Sequence, residues 1–135
     1  MEQHTAQSAD APPAWLVELY APMEKMDPEG FLGKLSEDVT LRLGNGAPVV
    51  GHEAIRAGSP NFFGAIRSMT HEFSSVWTCG EDTMAAGEAV YNMADGDTIR
   101  VPFATLVHRR GDGLVDRMQT FIDVGPVVAA LPGRH

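Results

Sequence analysis

Residues 71–124 read HEFSSVWTCGEDTMAAGEAVYNMADGDTIRVPFATLVHRRGDGLVDRMQTFIDV, and in four long segments of this stretch apolar and polar side chains alternate. A period of two is typical of strands that bury one face. The segments span the ranges His71–Thr78, Thr83–Met93, Thr98–Arg109 and Leu114–Val124. The sequences between them favour hairpin turns: Gly80-Glu81-Asp82, Asp95-Gly96 and Gly111-Asp112-Gly113. Because such short connections require antiparallel neighbours, we predict a four-stranded meander.

Small side chains occupy the middle of the second segment, at Ala85, Ala86, Gly87 and Ala89. Glycine inside a strand often marks a bulge or a close approach of two backbones. We therefore predict a bend or a close approach at this point of the sheet.

Upstream of position 70 the apolar residues recur with helical spacing. The first helix is predicted from apolar positions separated by three, four and seven residues: Trp15, Leu16, Leu19, Tyr20, Met23 and Met26. Pro22 lies inside this helix and predicts a kink. Asp27-Pro28 is typical of an N-cap followed by a proline at the first helical position, so a second short helix follows. We expect it to bury three side chains: Phe31, Leu32 and Leu35.

A short hairpin and a third helix complete the first half of the chain. Val39–Leu43 alternates like a strand, Gly44-Asn45-Gly46 turns, and Val49-Val50 forms a short return strand. A helical region is predicted from Glu53 to Ser68, interrupted at Ser59-Pro60. Helices followed by a long meander predict an α+β fold with the helices packed on one face of a curved sheet.

Length and charge restrict the classes of function. A chain of 135 residues with 44% apolar and 21% charged residues fits one domain. Its formal net charge of −8 argues against nucleic acid and against anionic membrane surfaces as partners. A single cysteine, Cys79, excludes an internal disulfide and fits a reducing compartment, so we expect a cytoplasmic protein. No stretch approaches the roughly 20 apolar residues of a membrane span.

The ends of the chain are predicted to lie outside the folded domain. Residues 1–13 lack the basic start and apolar run of a signal peptide and are expected to form a disordered lead. The domain is expected to span residues 14–127, and residues 128–135 to form a tail.

This order of elements resembles the nuclear transport factor 2-like fold. The segment VTLRLGNGAPVVGHEAI (39–55) resembles the stretch that joins the first hairpin of that fold to its third helix. The segments DGDTIRVPF (95–103) and GDGLVDRMQTFIDVGP (111–126) resemble its last three strands and their exit. The resemblance is greatest to the SnoaL-like branch, which includes polyketide cyclases, ketosteroid isomerases, limonene epoxide hydrolases and scytalone dehydratase.

The resemblance implies a cone-shaped, curved antiparallel sheet wrapped around the N-terminal helices, a cystatin-like α+β barrel. It also implies a pocket for a hydrophobic small molecule inside the cone, and a homodimer formed through the convex face of the sheet. No cofactor is expected, and the histidines and acids show no metal-ligand spacing.

The dehydratases of this branch supply the strongest candidates for catalysis. Their histidine at the start of the first long strand matches His71, and their acid on the first helix matches Glu24. Imidazole titrates near neutral pH, so His71 is the predicted acid or base, with Glu24 or Glu88 as its partner. Glu88 shares the strand register of Met84, Ala86, Val90 and Asn92. If that register faces the cone, burial raises the pKa of the carboxyl.

Other branches place their catalytic groups at positions that here hold inert or weakly polar residues. The isomerase carboxylates match Leu43 and either Ala104 or Leu106, and the cyclase aspartate matches Thr120, with Asp123 at a second acidic position. Together with residues able to touch a ligand, these positions give the predicted substrate-binding set: Tyr20, Leu43, Tyr91, Arg100, Leu106, His108, Met118, Thr120 and Asp123.

Three functions remain open. The first is acid–base isomerisation, dehydration or cyclisation of a polyketide-, steroid- or terpenoid-like substrate. The second is epoxide hydrolysis, with Glu88 activating water. The third is a non-catalytic binding or assembly module. It is favoured by the replacements at Leu43, Leu106 and Thr120, and by Ala86, which matches an arginine of the epoxide hydrolases. Two of the candidate residues also fit a purely structural role. Glu88 can form an ion pair with Arg100, and Asp123 can hold a turn.

Overall fold

A computed structural model describes residues 7–9, 11–63 and 66–129, which form seven strands and four helices. The helices are α1 (Ala14–Glu24), α2 (Pro28–Leu32), α3 (His52–Phe63) and α4 (Gly125–Ala129). The strands are β1 (Gln7–Ala9), β2 (Leu35–Leu43), β3 (Val49–Val50), β4 (Ile66–Cys79), β5 (Asp82–Met93), β6 (Thr98–Arg109) and β7 (Val115–Ile122). One curved, unclosed sheet holds all seven in the order β1-β4-β5-β6-β7-β2-β3.

The predicted meander corresponds to β4–β7, whose neighbours are all antiparallel. β2 then joins the far edge of the meander by pairing in parallel with β7, which sets Leu41 beside Met118 and Leu43 beside Thr120. The α+β architecture with a curved sheet is confirmed, and the sheet is antiparallel except where β2 pairs with β7.

The close approach predicted in the second long strand is found at Gly87. The β4–β5 register shifts between Phe73 and Ser75, opposite Gly87. A Cβ atom on Gly87 would overlap the carbonyl oxygen of Glu72 and lie 2.9 Å from the Cα of Phe73. Only glycine lets the two backbones come this near.

The helices begin and end largely where the sequence predicts. α1 buries Leu16, Leu19 and Tyr20 and ends at Glu24. Asp27 caps α2 by accepting a hydrogen bond from the Gly30 backbone N–H at 3.1 Å. That carboxylate satisfies a backbone N–H that has no partner inside the helix.

Two helical predictions are wrong at their ends. Leu35 opens β2 instead of closing α2, and it pairs with Val115 of β7. Ile66 opens β4 instead of closing α3, and it pairs with Met93 of β5. Both side chains are buried as expected, but sheet pairing, which sequence periodicity does not show, outweighs the helical pattern.

Gln7–Ala9, within the segment predicted to be a disordered lead, forms β1 and pairs with β4. The domain boundaries themselves stay a prediction. Residues 1–6, 10 and 130–135 of the predicted lead and tail lie outside the described residues.

Two apolar clusters fill the inside of the sheet. One joins α1 and α2 to β2 and β7 through residues such as Leu16, Val39 and Met118. The other includes Met69, Tyr91 and residues of β6 and α4. Met23 and Phe73 pack against both clusters and so mark the boundary between them.

Candidate functional site

His71 and Glu24 meet at this boundary. Glu24 Oε2 accepts a hydrogen bond from the backbone N–H of His71 at 2.6 Å and lies 3.2 Å from its Nδ1. The side chain of His71 is 8% exposed and that of Glu24 30% exposed. The last residue of α1 and the middle of β4 thus bring two of the three predicted catalytic side chains into contact.

The contact with Glu24 orients the imidazole of His71. An ionised carboxylate only accepts hydrogen bonds, so the neutral ring carries its proton on Nδ1. Nε2 then has the free lone pair, and it makes no hydrogen bond to any residue that the structure describes. This is the arrangement in which an acidic group orients a histidine that acts as a base.

Aromatic rings surround His71. The centroid of its ring lies 4.5 Å from that of Tyr20 and 5.5 Å from that of Phe103, and both pairs are tilted or edge-on. Phe73 packs against Tyr20 at 5.2 Å and against Phe103 at 5.6 Å. These contacts hold the imidazole in place and leave only 8% of the His71 side chain exposed to water.

A chamber of about 50 Å³ opens beside His71, and we call it the inner chamber. Its walls come from α1 and five strands: Tyr20, Met23, Leu43, Met69, His71, Ala89, Tyr91, Phe103, Met118, Thr120 and Ile122. Five predicted substrate-binding residues therefore line it: Tyr20, Leu43, Tyr91, Met118 and Thr120.

The Tyr20 hydroxyl is buried at this chamber and has no well-formed hydrogen bond among the described residues. The Thr105 and Thr120 hydroxyls, which lie 3.2 Å apart, belong to the two side chains that act to lower its pKa. Burial raises the pKa of Tyr20 well above its ordinary value, while these two threonines act weakly in the opposite direction. The hydroxyl therefore stays protonated and available as a donor.

A larger cavity of about 260 Å³, the outer groove, adjoins the inner chamber. Its walls are mostly apolar and come from α1, α2, α3, β2, β3 and β7: Met23, Pro28, Phe31, Leu41, Arg42, Leu43, Val49, Ala54, Ile55, Gly58, Met118 and Thr120. Four residues line both cavities: Met23, Leu43, Met118 and Thr120.

The condition for a catalytic Glu88, that its register faces the inside of the cone, is not met. Its side chain is 49% exposed and lies 3.3 Å from Arg100, which also binds Glu72 at 3.0 Å. The alternate residues Ala89 and Tyr91 face inward instead. Glu88 and Arg100 thus form the structural ion pair, on the convex face of the sheet.

Three more predicted substrate-binding residues lie away from both cavities. Leu106 and His108 share the register of Arg100 on β6, whose alternate residues Phe103, Thr105 and Val107 are the buried ones. Asp123 is exposed and accepts a hydrogen bond from the Gly125 N–H at 2.9 Å, so it holds the turn into α4.

His108 belongs to an acidic cluster on the convex face. Its Nδ1 lies 2.6 Å from Asp116 and its Nε2 3.4 Å from Glu81. The hydrogen bond with Asp116 raises the pKa of His108 above its ordinary value, and the charges of Asp116, Asp82 and Glu81 add to this.

We expect His108→Gln to destabilise the protein more at pH 6 than at pH 8.5. A histidine whose pKa is raised on folding stabilises the native state fully below its unfolded pKa, near 6.5, and this is lost as pH rises through the folded value. The drop in melting temperature should be larger at pH 6 by roughly 1–3 °C, since the pair is partly exposed. Thermal unfolding of both proteins at the two pH values checks this, and equal drops would contradict the ion pair.

Part of the site does not stand out in the sequence. Phe103, Met69 and Ala89 line the inner chamber but were not singled out, because hydrophobic alternation does not distinguish core from pocket wall. Only their strand pairing with predicted site residues sets them apart, and that pairing is a feature of the structure. Ala89 lies opposite His71 and Met69 opposite Tyr91.

Among the described residues, no group of three or more His, Cys, Asp and Glu side chains is arranged to hold a metal ion. In the same part of the chain, every helix is too short or too polar to cross a bilayer.

Known proteins share the domain and the fold. The model of the SnoaL-like domain family matches residues 16–118. A hypothetical protein of ketosteroid isomerase-like fold from Catenulispora acidiphila, solved with trimethylamine, is 18% identical with a TM-score of 0.76, over 88% of this chain and 92% of its own. A candidate SnoaL-like polyketide cyclase from a Jannaschia species is 16% identical with a TM-score of 0.71, over 93% and 98%.

A candidate hydroxylase from Streptomyces galilaeus, AclR, is 15% identical with a TM-score of 0.70, over 88% of this chain and 81% of its own. At such identities the likeness shows the shared fold alone. No curated protein matches the chain.

Proposed function

The chain belongs to the SnoaL-like domain family, and from that premise we propose that it is a small-molecule enzyme of the isomerase, dehydratase or cyclase type. The proposed substrate is polyketide-, steroid- or terpenoid-like, and His71 transfers the proton. One observation carries the proposal. Glu24 Oε2 accepts a hydrogen bond from the backbone N–H of His71 and lies 3.2 Å from its Nδ1, at the wall of the apolar inner chamber.

The proposed chemistry is a proton transfer through His71 Nε2. The free lone pair accepts a proton from a carbon beside a carbonyl group, or from a hydroxyl group. Glu24 stabilises the imidazolium that forms, and the ring returns the proton at another atom of the same substrate. Low polarity around the pair strengthens these interactions, since little water competes for them.

Tyr20 is proposed as the donor that stabilises the negative charge developing on the substrate oxygen. Its hydroxyl is buried and lacks a well-formed partner among the described residues, so a substrate oxygen would satisfy it. The raised pKa of Tyr20 keeps this donor protonated. Thr120, which also lines the chamber, is a second candidate donor.

Epoxide hydrolysis through Glu88 has no support from the site. A carboxylate on the convex face, held by Arg100, does not reach the inner chamber. A binding module without chemistry remains the competing proposal, because it needs only the cavities and not the contact between His71 and Glu24.

Deuterium exchange tests the proposed chemistry. A panel of apolar ketones, including β,γ-unsaturated cyclic ketones, is incubated in D₂O with the wild type, with His71→Gln and with His108→Gln. NMR follows deuterium uptake beside the carbonyl. We expect the wild type and His108→Gln to catalyse exchange and His71→Gln to lose it. Saturable binding of several members with exchange at the uncatalysed rate would favour the binding module.

We also propose that the chain forms a homodimer through the convex face of its sheet. Trp77 and Phe121 are 42% and 47% exposed there. The residues paired between them across the strands are apolar or small: Met84, Ala86, Ala104 and Leu106. Ion pairs lie on both sides of this strip, Arg100 with Glu72 and Glu88 and Arg117 with Asp82. A second copy would cover the apolar strip and match the charges at its border.

Leu106→Glu is expected to convert the dimer to a monomer, because it places an unpaired charge in the middle of the strip. Sedimentation velocity measures the change, with Thr70→Glu as the control, since Thr70 is exposed on the same face outside the strip. A wild type that sediments as a monomer at all concentrations would rule out the dimer.

A further inference from the structure

The inner chamber and the outer groove share part of their walls. Met23 on α1, Leu43 on β2, and Met118 and Thr120 on β7 are the residues that line both the inner chamber and the outer groove. We call these four residues the neck. His71 lines the inner chamber and not the outer groove, so the neck lies on the shared wall between His71 and the groove.

The two sides of the neck differ in size and chemistry. The outer groove, at about 260 Å³, has room for a small ring system, and its walls are mostly apolar. The inner chamber, at about 50 Å³, holds only a group of a few atoms. Its polar contacts are a histidine nitrogen and hydroxyl groups.

Charge restricts which group enters the inner chamber. Glu24 lies 3.2 Å from His71 and would repel a carboxylate or a phosphate in this apolar space. An ammonium group would need open space between the aromatic faces. Instead the rings of Tyr20, His71 and Phe103 pack against one another, with centroids 4.5 to 6.4 Å apart. A neutral carbonyl or hydroxyl group fits both conditions.

We infer that the neck selects neutral substrates of two parts: a compact apolar body that stays in the outer groove and a single carbonyl or hydroxyl group that passes between Met23, Leu43 and Met118 to reach His71. This inference rests on the proposed function and adds the shape and charge of the substrate to it. Methionine side chains suit such a position because they are unbranched and adapt to different ligand shapes.

Met23 is the neck residue contributed by α1. It is partly buried, packs against both apolar clusters and immediately precedes Glu24 in α1. Leu43 of β2 lines both cavities as well and is 39% exposed, so its side chain can be enlarged with little disturbance of the core. Met118 is 3% exposed and is best left intact.

A matched pair of ligands tests the charge rule. 2-Acetylnaphthalene carries a neutral carbonyl group, and 2-naphthoate has the same ring system with a carboxylate. Titrations are followed by ligand fluorescence and by ¹H–¹⁵N NMR of the His71 imidazole. We expect acetylnaphthalene to bind at least ten-fold more tightly than naphthoate and to shift the Nε2 signal. Equal affinities, or tighter binding of naphthoate, would overturn the charge rule.

Narrowing variants test the passage itself. In Leu43→Phe and Met23→Phe, acetylnaphthalene should still bind in the outer groove, but the shift at His71 Nε2 should fall by more than half. Leu43→Ala is the widening control, for which we expect the shift to persist. Circular dichroism checks that each variant is folded, and the exposed position of Leu43 keeps the test valid if Met23→Phe does not fold. An unchanged shift in Leu43→Phe would overturn the neck.

These readouts need no turnover, so the two proposals fail separately. Ligand shifts that depend on the neck, without deuterium exchange by the wild type, would leave the two-part cavity in place and remove the acid–base function. Deuterium exchange by the wild type, together with His71 Nε2 shifts that are the same in the neck variants and in the wild type, would support the acid–base function and remove the two-part cavity.

Discussion

Replacing Gly87 by alanine is expected to lower the melting temperature by roughly 10 °C. The new Cβ would overlap the carbonyl oxygen of Glu72 and lie 2.8 Å from its carbonyl carbon. Because these atoms belong to the backbone of β4, no side-chain rotation relieves the overlap. β4 and β5 must separate locally, and the bulge between Phe73 and Ser75 must change.

Gly111→Ala is the matched control. A Cβ there meets nothing within 4 Å among the described residues, and Gly111 is not among the glycines with positive φ. Thermal unfolding of both variants against the wild type checks the comparison. If Gly87→Ala unfolded within 2 °C of Gly111→Ala, the close approach of the two backbones would be disproved.

His71→Gln is expected to lower kcat/KM about 10²- to 10⁴-fold on any ketone that the wild type converts, while the fold is kept. Losses of this size are typical when a positioned acid–base group is removed. Glutamine is nearly as long as histidine, but it cannot take up a proton at neutral pH. The side chain is 8% exposed, so circular dichroism and thermal unfolding of the variant must accompany the kinetics.

Glu24→Gln separates orientation from charge. The amide oxygen can still accept from the His71 N–H, but the negative charge that stabilises the imidazolium is gone. We expect a loss smaller than that of His71→Gln, and a double variant no worse than His71→Gln alone, because the two residues act as one unit. Full additivity of the two losses would show that Glu24 acts independently of His71.

Much of the fold follows from local patterns in the chain. Alternation and hairpin turns predict β4–β7, and the Asp27-Pro28 pair predicts the start of α2. Leu35 and Ile66 show where local patterns stop being sufficient. Each is an apolar residue that fits a helical pattern and a strand pattern equally well. Only pairing with a distant partner, Val115 for Leu35 and Met93 for Ile66, selects the strand.

The site, like the fold, was only partly predictable, because distant segments of the chain bring its residues together. His71 and Glu24 were found through a family resemblance, not through periodicity, and they meet across α1 and β4. Glu88 was misplaced because both registers of β5 carry apolar residues: Val90 lies in one and Tyr91 in the other. The pairing of Ala89 with His71 decides between them, and it depends on the bulge in β4, which the sequence does not specify.

The parallel pairing of β2 with β7 sets an order of events for a chain being synthesised. Hairpins such as β4–β5 close over short distances along the chain and can form as soon as both strands have left the ribosome. Leu41 of β2 must wait for Met118, near the other end of the chain. Until then α1 and β2 keep side chains such as Leu16 and Val39 uncovered. The nascent N-terminal third therefore keeps its apolar side chains exposed for longer than the hairpins do, and such exposure favours aggregation.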